Sequence, residues 1–320
     1  MSRYARQIIL PEVGEGGQAR LSAARVLVVG AGGLAAPVLP LLAGAGIGQL
    51  TIMDRDEVAL SNLHRQTLFT EEDCGRPKAA VAAERCIALN GEISIIAAKQ
   101  ALTSENSAEF VGQADIILDC ADSYAASYTL SDTCHVLGKP LISASVLGLS
   151  GYVGGFCGGA PSLRAVFPDA PDSGASCASA GVLGPVVAMI GAMQAQMAVG
   201  VILGLEPSPL GQLAQLDART LRSSTFRFDD APEPVDHFSF ISASQLTADD
   251  LIIELRDPDE APQPIHPKAH RQAPDTIDIE PNKSQRLALC CATGLRAWRA
   301  AEKLKPDWPG EIVLVAASTS

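Results

Sequence analysis

Apolar and polar positions alternate in blocks along the first two thirds of the chain. Arg25–Val29 is a short β-branched run that stops at Gly30-Ala-Gly-Gly33. A small apolar segment follows to Gly46, and Gln49–Met53 then runs into Asp54. The pattern predicts strand, glycine turn, short helix and strand, a βαβ unit. It continues with a helix over 78–89, a strand over 93–97, a helix over 105–111, a strand over 114–118 that runs into Asp119, and a strand over 140–144. Strands alternating with helices predict an α/β fold whose mostly parallel sheet is covered on both faces.

Residues 181–205 carry no charge over 25 positions, a length that would span a bilayer. Gln194 and Gln196 interrupt this run, glycine recurs at five positions, and no Lys or Arg flanks either end. The expectation is a buried or subunit-interface helix with Pro185 in its first turn.

Composition changes after Phe228. Residues 229–260 hold ten acidic side chains against one basic, Arg256, with proline at 232, 234 and 258. Three units are expected: a domain over 1–228, an acidic proline-containing linker over 229–237, and a small domain over 238–320. The last carries strand-like runs at 251–255, 287–290 and 312–315 and a helix-like run at 296–304.

Charge removes some classes of partner. With 24 Lys and Arg against 36 Asp and Glu the net charge is −12, which argues against nucleic acid and anionic membranes. Eight cysteines are scattered over 320 residues, too sparse for a disulfide-stapled scaffold. The N-terminal residues lack the apolar core of a signal peptide. Free thiols and a reducing cytoplasm are the expectation.

Gly30-x-Gly32-x-x-Ala35 followed by Asp54 is the spacing of a dinucleotide turn and a ribose-binding acid. Alone it is compatible with NAD, FAD, another adenine nucleotide, or a tight turn that holds nothing. The next segment discriminates. Asn62, Arg65, Gln66 and Lys78 place amides, a guanidinium and an ammonium after the acid. Hydride transfer has no use for such a cluster, whereas chemistry at a triphosphate does, because phosphoryl charge must be neutralised as a nucleophile arrives. No P-loop is present.

Arg3-Tyr4-x-Arg6-Gln7-Ile8, Gly30-Ala-Gly-Gly-Leu34, Ala45-Gly-Ile-Gly48, Asp54-x-Asp56-x-Val58, Ser61-Asn-Leu-x-Arg65-Gln66, Gly75-x-x-Lys78 and Asp119-Cys-Ala-Asp122 occur in order. Together they resemble the ThiF/MoeB/HesA family, bacterial relatives of ubiquitin-activating enzymes, over residues 1 to 228. The resemblance implies a Rossmann-like sheet with an antiparallel extension. It implies a homodimer that adenylates the C-terminal glycine of a small ubiquitin-like sulfur-carrier protein, with ATP and Mg²⁺, for molybdopterin- or thiamin-type sulfur transfer. A cysteine desulfurase is a further implied partner.

The roles that the resemblance implies are as follows. Gly30, Gly32 and Gly33 admit the nucleotide, Asp54 takes the ribose, and Asn62, Arg65 and Gln66 take the phosphates. Lys78 faces the departing phosphates, Asp122 holds Mg²⁺, and Arg6 reaches the neighbouring subunit's triphosphate.

Departures from the family pattern matter too. The family's two Cys-x-x-Cys zinc pairs are here Ser162 with Ala165 and Glu233 with Asp236. Such a quartet lacks the thiolates zinc prefers, so no zinc is expected. The usual Asp-Asn-x-x-x-Arg is Asp122-Ser123-x-x-x-Ser127, which would weaken anion contacts.

Cys177 stands where some members link covalently to the carrier; it is either that nucleophile or an inert loop residue. Cys291-Ala-Thr-Gly-Leu-Arg296 resembles a rhodanese loop, in a truncated rhodanese-like domain that is either active or degenerate. Cys290 is expected in the core, and His64 as a packing or solvated residue. The alternatives to the adenylyltransferase are a pseudoenzyme that only binds a carrier or partner, and an NAD-dependent oxidoreductase.

Overall fold

The structure, a computed structural model, describes residues 3–170, 181–281 and 285–317. Cys177 lies outside the described residues. Strands β1 (Arg25–Val29), β2 (Gln49–Met53), β3 (Ser94–Ala98), β4 (Ile116–Asp119) and β5 (Pro140–Leu147) are parallel and lie in the order β3-β2-β1-β4-β5. Strands β6 (Ser150–Cys157), β7 (Gln212–Asp217) and β8 (Arg222–Arg227) extend the sheet beyond β5, all antiparallel, with tight turns joining β5 to β6 and β7 to β8. The β-branched run of β1 is buried at four of its five positions, as the centre of a doubly covered sheet requires.

Helices α1 (Ala5–Ile8) and α2 (Gly14–Ala23) precede the sheet, followed by α3 (Ala35–Ala45), α4 (Lys78–Leu89), α5 (Ser107–Gln113), α6 (Tyr124–Leu137), α7 (Leu163–Val166) and α8 (Gly184–Leu203). One face of the sheet presents Val26, Val28, Leu50, Ile52, Ile116 and Leu118 to α3, α4 and α8. The other face presents Leu27, Val29, Ile117 and Leu141 to α5, α6 and the C-terminal part of the chain. The uncharged run forms α8, with Pro185 in its first turn. It is long and apolar enough to cross a membrane, and half of it is buried inside the protein, where Val187, Ile190 and Ala198 join the core.

The C-terminal part forms its own five-stranded parallel sheet from β9 (Ser239–Phe240), β10 (Leu251–Glu254), β11 (His270–Arg271), β12 (Leu287–Cys291) and β13 (Ile312–Ala316), in the order β11-β10-β12-β13-β9. Helix α9 (Leu295–Leu304) packs on it through Ala297, Trp298 and Ala301. Its aliphatic core runs without a break into the α6 face of the first sheet.

The joint between the two sheets is aromatic. The Tyr128 and Trp298 rings meet edge to face at 4.6 Å. The buried Arg164 guanidinium lies 4.7 Å over Tyr128 and 5.7 Å over Trp298, pairs with Asp132 at 2.6 and 2.9 Å, and donates to the Phe238 carbonyl at 3.0 Å. The acidic segment 229–237 is tied down at Glu233, which accepts hydrogen bonds from Ser162.

Candidate active site

From β1 the chain crosses in one direction to β2 and β3 and in the other to β4 and β5. The ends of β1 and β4 therefore form the switch point at which doubly wound sheets bind ligands. Gly30 leaves β1 there with φ of +91°, and a side chain on it would drive a Cβ to 2.6 Å from the Cys120 carbonyl oxygen. Only glycine fits both that backbone and that approach. The turn runs into α3, and a helix N-terminus suits an anion. Neighbouring Gly33 is closed in by Val187 of α8, 2.8 Å from where a Cβ would stand, and by the Arg65 stem at 3.5 Å.

Asp54 follows β2 and is anchored from both sides. Its Oδ2 accepts from the Ala31 N–H and its Oδ1 from the Asp56 N–H, each at 2.7 Å. Burial pushes its carboxyl above the ordinary value, while those two amides and the nearby Lys78 pull it down. The acid is held facing the glycine turn, where a ribose would lie.

A tight turn over Leu60–Asn62 begins the cationic segment, and the Arg65 and Gln66 amides bond back to the Asn62 carbonyl at 3.1 and 3.0 Å. This folds Arg65 against Gly33 and brings the Gln66 amide nitrogen to 3.6 Å from the Cβ position of Gly32. Gln66 is buried, and its Oε1 has no hydrogen-bond partner. A buried polar atom left unpaired marks a place for a ligand group. Lys78, only 6% exposed, opens α4 and reaches Asp56 with Nζ to Oδ2 at 3.3 Å. Asp122 is exposed, just ahead of α6, in the turn that passes Gly30.

The structure thus gathers Gly30, Gly32, Gly33, Asp54, Asn62, Arg65, Gln66 and Lys78, with Asp122 at the rim. It does not bring Arg6 there. Arg6 is exposed on α1, which docks at the opposite end of α3 through the Gln7 amide and the Ala45 carbonyl, 3.0 Å apart. At about 1.5 Å per residue, α3 keeps the two ends roughly 16 Å apart. Cys291 sits in the second sheet, wholly buried, with its Sγ accepting from the Gly294 N–H at 3.1 Å and the Ala297 N–H at 3.4 Å.

Sequence reasoning gave no role to several residues that shape the site. His64 is exposed, as expected, yet its Nε2 lies 2.9 Å from Arg65 Nη1 and steadies that guanidinium. Asp56 partners Lys78; its place in the same motif as Asp54 was the available signal. Gln194, read as a break in an apolar run, is wholly buried and donates to the Asp119 and Ile142 carbonyls at 2.7 and 2.9 Å. A lone amide in an uncharged helix was its signal.

The sequence matches the ThiF family over residues 4–235. The chain belongs to the ThiF family. Among relatives, this ThiF-family chain is 42% identical over 226 residues to the sulfur carrier protein adenylyltransferase of Thermus thermophilus, covering 68% of this chain and 83% of that one. It is 40% identical over 225 residues to the sulfur carrier protein ThiS adenylyltransferase of Escherichia coli K12, covering 68% and 87%. To the adenylyltransferase and sulfurtransferase MOCS3 of Bos taurus it is 42% identical over 219 residues, and it spans about half of that longer protein, 48%. In fold it is similar to Escherichia coli MccB crystallised with ATP, with a TM-score of 0.63, 22% identity, and 72% and 73% of the two chains covered. The family match ends before β9.

Proposed function

We propose that this ThiF-family protein adenylylates the C-terminal glycine of a small ubiquitin-like sulfur-carrier protein with ATP. The observation that carries the reading is the site at the β1/β4 switch point, where an anchored acid, a guanidinium, an unpaired buried amide and a buried ammonium converge on one glycine turn. The names of the relatives from Thermus thermophilus and Escherichia coli support the same activity.

The attacking group is the carrier's terminal carboxylate, already ionised at neutral pH, so no general base is needed. One carboxylate oxygen forms a bond to the α-phosphorus as the bond from that phosphorus to the bridging oxygen breaks. Pyrophosphate leaves with that electron pair, and an acyl-adenylate remains. Two anions must approach each other, and Arg65, Lys78 and the α3 amides supply the positive field that permits it. Asp54 takes the ribose hydroxyls, and Gln66 offers its unpaired oxygen to a donor on the nucleotide or its water. Asp122 presents a hard oxygen ligand that fits Mg²⁺. Bound there, that ion would neutralise phosphate charge.

Arg6 lies beyond reach of its own site and, with exposed Ile9 and Leu10 beside it, fits a role in a homodimer in which it serves the partner's nucleotide. Two N–H groups point at Cys291 Sγ at the start of α9, the arrangement that a rhodanese-like sulfur-carrying loop calls for, and a cysteine desulfurase is the matching sulfur donor. Cys177 is proposed from its sequence position as a covalent link to the carrier. Seven cysteines among the described residues are free thiols, in keeping with a reducing cytoplasm.

Incubation with Mg·ATP and a carrier ending in Gly-Gly should raise the carrier's mass by one AMP. Tight carrier binding without that gain would favour a protein that binds and does not catalyse.

A further inference from the structure

Asp119 ends β4 as a wholly buried carboxylate with no ion-pair partner among the described residues. Such a group persists only if its oxygens are well hydrogen-bonded. Ser143 Oγ of β5 donates to Oδ2 at 2.8 Å, and the Ala121 N–H donates to Oδ1 at 3.1 Å. The main chain of the same residue is stapled as well. Gln194 of α8 donates to the Asp119 carbonyl, and its Oε1 accepts from Cys120 Sγ at 3.3 Å.

Elements as far apart in sequence as β5 and α8 therefore converge on one turn, 119–122. That turn makes the wall against which Gly30 is pressed, and its last residue is Asp122. The residue type matters. A carboxylate accepts from the Ser143 hydroxyl on one oxygen and from the Ala121 amide on the other; an amide side chain has one acceptor oxygen and cannot accept on both sides.

We propose that Asp119 is a positioning residue for adenylation: held by Ser143, it clamps the Ala121 amide and so fixes the turn that presents Asp122 and faces the glycine turn. The proposal rests on the reading of Asp122 as the group that holds the divalent cation. Asp119 touches neither nucleotide nor metal; it acts through the turn. Outer-shell partners of metal ligands commonly change metal affinity or activity by roughly tenfold to a hundredfold.

The test is the Mg²⁺ dependence of carrier-dependent ATP–pyrophosphate exchange in the full chain, for Asp119→Ala, Asp119→Asn, Ser143→Ala and Asp122→Asn. Asp119→Ala should raise the Mg²⁺ concentration for half-maximal exchange by roughly tenfold or more, with the KM for ATP at saturating Mg²⁺ left in place. Asp119→Asn keeps an acceptor for the Ala121 amide and should recover part of the loss. Ser143→Ala should shift the midpoint in the same direction by less, and it carries the test if Asp119→Ala fails to fold.

A merely structural role would lower the melting temperature and ATP affinity together and leave the Mg²⁺ midpoint alone; that result overturns the proposal. If Asp122→Asn moves the midpoint and the Asp119 and Ser143 variants do not, the positioning role alone is wrong. If Asp122→Asn leaves it unmoved, the cation assignment fails and the positioning role falls with it.

Discussion

Glu233 accepts two hydrogen bonds from Ser162, one from the main-chain N–H and one from the hydroxyl, both at 2.6 Å. These residues stand at two of the four positions for which the family resemblance implied zinc-binding cysteines. Here a carboxylate bridges the segments directly, with His135 Nδ1 3.8 Å from the same carboxylate. The bond ties the acidic segment after Phe228 to the buried start of α7. Treatment with a chelator should therefore leave the melting temperature of the nucleotide-free protein unchanged, while Glu233→Ala should cost about 1 kcal/mol by stranding the Ser162 N–H. A melting temperature that falls on chelation would contradict this picture.

Lys78 should matter more to catalysis than to stability. Its ammonium is buried against a half-exposed Asp56, so it is poised to exchange that partner for phosphate. Lys78→Ala removes a charge-assisted bond worth about 1.5 to 3 kcal/mol, roughly a tenfold to hundredfold loss in kcat/KM for pyrophosphate exchange. Steady-state kinetics at saturating carrier would check it; an unchanged kcat/KM would remove Lys78 from the site.

Asp73 makes the turn that leads into Lys78 sensitive to acid. Burial works to raise its carboxyl, but the Thr70 N–H, Arg85 and the Thr70 hydroxyl outweigh it and hold the group at about 2, below its ordinary 3.8. A depressed carboxyl contributes stability that is fully present above the unfolded value and is lost as the pH falls through the folded one. Asp73→Asn should thus be less stable than the native protein at neutral pH. The gap should narrow below pH 3.8 and close near pH 2, as urea titrations over that range would show.

The two sheets should unfold together. Trp298 is almost wholly buried and packs edge to face on Tyr128, with Arg164 over both rings. Trp298→Ala opens a cavity at the joint, and such truncations cost about 3 to 5 kcal/mol. Calorimetry should show one transition for the native protein, lowered as a whole in the variant. Two independent transitions in the native protein would mean that the joint carries little.

Much of this was legible in the chain. The β-branched run before Gly30 and the apolar run before Asp54 fixed β1, β2 and the site between them, because strand ends and glycine turns are set by local sterics. The 25 uncharged residues around α8 read as a buried or subunit-interface helix, since their flanks lack membrane anchors, and half of that helix is buried in the core. Long-range partners were harder to see. Nothing local in Glu233 announces Ser162, 71 residues away, or in Gln194 the end of β4, 75 residues away. Boundaries moved by up to three residues where tertiary pairing extends a strand, as at Cys291, which pairs with Ala316, and in β5, which pairs with β6 out to Leu147. The position of Arg6, remote from its own site, follows from the length of α3 and the docking of α1, which periodicity does not report.

Carrier-dependent exchange of labelled pyrophosphate into ATP, in the native protein and in Arg65→Ala, tests the assigned chemistry most directly. Exchange that requires a Gly-Gly carrier, and that drops by roughly a hundredfold or more when the guanidinium beside Gly33 is removed, is the expected result. Exchange of equal rate in Arg65→Ala, or none with any carrier in the native protein, would contradict it.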